Sequence, residues 1–228
     1  MLVMGCALGA GGEKKPMSAR TCQGVARAAV SRFALLCLCL SASTALAGNS
    51  ATSAAYHGFK VELSGFGNES ETKAALTLVK EQIDMVERVG LSGAHLSFFR
   101  SLPLRISGNL RGYYGIYNKG EISLAPAQID GHNPTLLHEY MHALHDRKLP
   151  GGFANKEITA AYQDAFSVKR YEGTNAAYFL TNSHEFFAVT ATLYLWGSLP
   201  YNRPYSRGII RSAQPDYYRF IERLFGAR

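Results

Sequence analysis

The pentad His138-Glu139-Tyr140-Met141-His142 constrains this chain more than any other stretch. Residues four apart share a helical face, so a helix here aims two imidazoles at one point with Glu139 one step round. This H-E-x-x-H arrangement lets a single turn supply two zinc ligands and a general base. Its flanks suit a helix: Asn133 is a capping residue, and Pro134 follows at the first turn, where a missing N–H costs nothing. Leu136, Leu137, Tyr140, Met141 and Leu144 cover one side, while His138, Glu139, His142 and His145 fall together on the other. Ionisable groups facing a core are costly unless paired, hydrogen-bonded or bound to metal, so this stripe points to a site. The alternative is an amphipathic surface helix with a solvated polar face.

A catalytic zinc takes three protein ligands and keeps a fourth position open, so another donor must come from elsewhere. His184 and Glu185 are the candidates, at the head of an apolar run from Phe186 to Trp196 that reads as a buried helix. Asn182 followed by Glu185 also fits a capping box, in which Glu185 would only satisfy backbone N–H groups.

Tyr178 and the stretch Thr181-Asn182-Ser183-His184-Glu185-Phe186-Phe187-Ala188 resemble the catalytic domain of anthrax lethal factor and its relatives, including the secreted Pro-Pro endopeptidases. In that gluzincin-type family the H-E-x-x-H helix is followed some forty residues later by a glutamate ligand, and a tyrosine seven positions before it helps stabilise the oxyanion. Glu185 lies 43 residues after His142, and Tyr178 lies seven before Glu185. The resemblance runs from Thr135 to Trp196 and implies one Zn2+ per chain on His138, His142 and Glu185, with Glu139 as base and Tyr178 on the oxyanion. Met141 stands where relatives often have glycine, and Val189 where they often have a second glutamate. The second departure removes an outer partner for a ligand histidine. Asp146 and His145 are the residues placed to compensate.

Of 228 residues 47% are hydrophobic and 18% charged, a globular balance. The net charge of +7 is partly N-terminal: Lys14, Lys15, Arg20, Arg27 and Arg32 stand against Glu13 within residues 1–47. The remaining +3 gives no warrant for nucleic-acid binding, and the series Arg203, Arg207, Arg211, Arg219 and Arg223 reads as a solvated helical face. Three arginines, the apolar stretch from Phe33 to Leu40, and Ala45-Leu46-Ala47 read as a signal peptide cleaved before Gly48, with Met17 as an alternative start. The apolar core is short for a membrane span, so no lasting anchor is expected. Cys6, Cys22, Cys37 and Cys39 all precede that cut, which removes disulfide and thiol chemistry from the mature domain.

Residues 48–55 read as a flexible leader and 56–228 as one domain. Glu71 to Val89 carries apolar residues at helical spacing and predicts a long packing helix. Leu102 to Ile106, Tyr113 to Tyr117 and Glu121 to Leu124 predict short strands, the last two joined by a turn at Asn118-Lys119-Gly120. Asn155 to Tyr171 predicts a further helix, bordered by a Gly151-Gly152 loop, and Gln214-Pro215-Asp216 starts a closing one. The expected fold is α+β and zincin-like: a small mixed sheet with an exposed edge strand packed on an active-site helix, then a mostly helical C-terminal half. The expected function is a secreted or periplasmic, monomeric zinc metalloendopeptidase that holds a peptide along Gly112 to Tyr117. The alternative is a secreted zinc-binding module of the same fold whose catalysis has decayed.

Overall fold

Alternation in Phe59-Lys60-Val61-Glu62-Leu63-Ser64 buries every second residue and makes this segment a strand with one apolar face. The computed structural model describes residues 51–129, 131–171, 178–199 and 206–228. The signal segment expected over 1–47 lies outside these residues. Five strands, β1 (Thr52–Tyr56), β2 (Phe59–Ser64), β3 (Leu104–Ser107), β4 (Gly115–Asn118) and β5 (Glu121–Leu124), form one mixed sheet in the order β1-β2-β3-β5-β4. β3 is parallel to β2 and to β5, whereas the hairpins β1–β2 and β4–β5 are antiparallel.

Both hairpins turn on two residues of positive φ, His57-Gly58 and Lys119-Gly120, the geometry whose twist matches that of paired strands. The first hairpin corrects the sequence reading: residues 52–55, expected in a flexible leader, pair along β2 as β1. Their backbone groups find partners in the neighbouring strand, and this outweighs their small, polar composition. At the opposite edge the Ala125 N–H donates to the Tyr114 carbonyl at 3.0 Å. That bond sets the phase of the ladder, so the N–H and C=O groups of Gly115 and Tyr117 face away from β5.

Seven helices follow among the described residues: α1 (Glu69–Arg88), α2 (Gly93–Arg100), α3 (Thr135–Lys148), α4 (Lys156–Ser167), α5 (Ser183–Trp196), α6 (Arg207–Ala213) and α7 (Pro215–Phe225). The sheet's apolar side chains, Val61, Leu63, Leu104, Ile106, Ile122 and Leu124, join one core with α1 and α3. On its outer face Arg105 pairs with Glu62 and Glu121. α5 packs along α3 on the side away from the sheet, and α4, α6 and α7 surround α5. α3 is thus central, with every residue from Thr135 to His145 buried. The amphipathic surface-helix reading of α3 is excluded by this burial. No described helix is long and apolar enough to cross a membrane.

Candidate metal centre

The pentad occupies the middle of α3, but its start is not held as the Asn133 side chain suggested. Pro134 is the N-terminal boundary residue and makes no side-chain cap. Gln82, wholly buried on α1, does that work: its Oε1 accepts from the Leu136 N–H at 3.0 Å, and its Nε2 donates to the Asn133 carbonyl at 2.8 Å. Two backbone groups at the helix start are satisfied from another element, which pins α3 to α1.

Asn182 caps α5 by accepting from the N–H groups of His184 and Glu185, both at 2.9 Å. The Glu185 side chain does not return to the backbone as in a capping box. It faces α3, where its Oε2 lies 3.3 Å from His138 Nε2 and 3.5 Å from His142 Nε2. The two imidazole nitrogens are 3.1 Å apart. All three residues are buried, and their donor atoms form a group able to hold a metal ion. Donors about 2.0–2.1 Å from a common centre at tetrahedral angles stand about 3.4 Å from one another. The three observed separations match three corners of that tetrahedron. His184 is directed elsewhere: its ring stacks on Phe153, with centroids 4.1 Å apart.

Comparison of the chain with protein-family models, curated proteins and solved structures returns no match. The chemistry is therefore read from the geometry.

Burial works against every charge at this site, and the neighbours decide the outcome. For Glu185 burial opposes ionisation, but hydrogen bonds and charges from His138 and His142 hold its carboxyl well below the usual range. For His138 burial disfavours the cation, yet Glu185 and Glu139 outweigh it and raise the pKa. His142 goes the other way, lowered by burial and by the His138 charge. Glu139 is 1% exposed, and burial pushes its pKa up to about 7, with the Glu185 charge adding to the rise. The backbone N–H of Tyr117 on β4 hydrogen-bonds this carboxylate and opposes the rise, while no described protein group hydrogen-bonds to Oε1.

Tyr178 lies within the site, and its hydroxyl donates to Glu185 Oε2 at 2.6 Å. The residue expected at the oxyanion thus holds the Glu185 carboxylate.

Neither residue suggested as an outer partner for a ligand histidine fills that role. Asp146 accepts from the Tyr117 hydroxyl at 2.6 Å. His145 is fully buried between Phe153 and Phe187, with neither ring nitrogen hydrogen-bonded to a described residue. His142 Nδ1 likewise has no such partner, and Val189 is buried on α5.

The sequence reading missed Gln82, and it placed Gly115 and Tyr117 in a substrate-holding strand without their contact with Glu139. A glycine within a strand signals close approach by another group, and that signal was present at Gly115.

Proposed function

We propose that this chain is a zinc-dependent peptidase in which His138, His142 and Glu185 hold the metal and Glu139 is the general base. The observation that carries the reading is the tetrahedral spacing of three buried donors from two helices, with the buried carboxylate of Glu139 on the same turn. Bound zinc supplies a Lewis acid that polarises a carbonyl oxygen and acidifies water. Glu139 takes the proton from the attacking water and passes it to the leaving amine. The Tyr178 hydroxyl lies beside the ligand carboxylate, from where a rotation redirects its hydrogen bond to the developing oxyanion. The outward peptide groups of Gly115 and the outward carbonyl of Tyr117, whose N–H is held by Glu139, suit an extended substrate that adds to β4. Export to the periplasm or beyond belongs to the same reading.

Elemental analysis of the purified chain tests it, with wild type, His142→Ala and Glu185→Gln side by side. One zinc per wild-type chain, lost in both variants, is expected, followed by hydrolysis in a peptide library that Glu139→Gln abolishes. Absence of zinc from the wild type after supplementation would overturn the metal assignment.

A second reading has a specific observation in its favour. Histidine ligands of catalytic zinc usually donate their second nitrogen to a carboxylate or carbonyl, and His142 Nδ1 has no such described partner. A binding module that keeps zinc but hydrolyses no peptide fits that feature, and the library screen separates the two.

A further inference from the structure

Gly115 adopts strand backbone open to any residue, so conformational freedom does not explain it. Space does. A Cβ at this position would lie 2.7 Å from Glu139 Oε1, 2.9 Å from its Cγ and 3.1 Å from its Cδ. The Glu139 side chain fills the volume that any other residue would claim. Two positions along, Tyr117 holds α3 twice: its backbone N–H bonds the Glu139 carboxylate, and its hydroxyl donates to Asp146 on the next turns of the same helix. The Tyr117 side chain is buried, and its ring also meets Phe153, so this second tie is rigid.

We infer that Gly115 and Tyr117 are positioning residues that lock the Glu139 carboxylate against the edge strand, Gly115 by yielding the space and Tyr117 by tying β4 to α3. The catalytic consequence rests on the peptidase reading above; the lock itself does not. A long carboxylate side chain left free samples several rotamers, and a base aimed at a small water target loses rate with each wrong one. β4 removes that freedom from the side on which Gly115 and Tyr117 lie.

A double-variant cycle on the metal-free full chain tests the lock without metal or substrate. Gly115→Ala is expected to lower the melting temperature by about 5 °C, as an added methyl does in a filled space. In a Glu139→Ala background, which removes all three crowded atoms, the same change is expected to have little effect. A Gly115→Ala variant that fails to fold while the double variant folds reads the same way. Equal losses in both backgrounds, or two variants that both fail to fold, would overturn the inference.

Zinc content and kinetics complete the test. Gly115→Ala should keep one zinc per chain, since it touches no ligand, with kcat down at least about 100-fold and KM within threefold. Turnover equal to wild type would overturn the positioning role. A wild type without zinc would instead remove the peptidase reading, and the stability cycle would still decide the lock.

Discussion

Glu139 and His145 are buried ionisable groups with opposite effects on stability. Glu139 has its pKa raised from 4.5 to about 7 by burial, so between those values the folded chain keeps a proton that the unfolded chain releases. Stability of the metal-free protein therefore falls as pH rises across this window, by about 3 kcal/mol in all. Glu139→Gln should remove that loss: its urea midpoint should exceed wild type at pH 8, and the difference should close near pH 4.5. In the proposed zinc peptidase the same change should reduce turnover by about 10²- to 10⁴-fold. His145 is lowered from 6.5 to about 3 by burial, aided by the charges of His184 and His142. Its unfolded form takes a proton below about 6.5 that the folded form refuses, so its contribution is lost as pH falls. His145→Phe, set among Phe153 and Phe187, should gain about 2 kcal/mol over wild type at pH 5 in denaturant titrations and less at pH 8.

Among elements, α3 depends most on support from elsewhere. Gln82→Leu would leave the Leu136 N–H and the Asn133 carbonyl without their partner and should cost about 1–3 kcal/mol in thermal unfolding. It should also weaken binding of the proposed metal, because the candidate ligands His138 and His142 sit within the first eight residues of the helix that Gln82 anchors. That tie joins residues 54 apart, and no local pattern in the sequence announces it. Strongly periodic elements were legible: α1, α3, α5, α7 and the β4–β5 hairpin all appear close to their expected positions. β1 was not, because His57-Gly58 is a weak turn signal and the residues before it are small and polar. α2 is short, and only Phe99 among its residues is buried, so it carries little periodicity to read. On α5 neighbouring residues point about 100° apart, which is why spacing alone left both His184 and Glu185 as candidate ligands.

For the molecule as a whole, the proposed metal joins α3 to α5 through donors 43 residues apart in the chain. Anything bound only by the folded state stabilises it, by about 4 kcal/mol at a free concentration a thousandfold above Kd. Stripping the proposed metal with a chelator should lower the melting temperature by about 10 °C in the wild type and leave His142→Ala unchanged. The donor set itself was largely legible, since the pentad fixes two of three atoms on one face. The architecture around it was not: nothing in the pentad reveals a helix walled on both sides, or a sheet edge pressed against its glutamate. The phase of that edge carries its own consequence. Only alternate residues of β4 turn their peptide groups outward, and a chain lying along it can bring either of its own alternate sets to them by a half-turn about its axis. The strand would hold a peptide by its backbone and leave its sequence unread, so preference among cuts in a repetitive peptide would come from side-chain pockets alone.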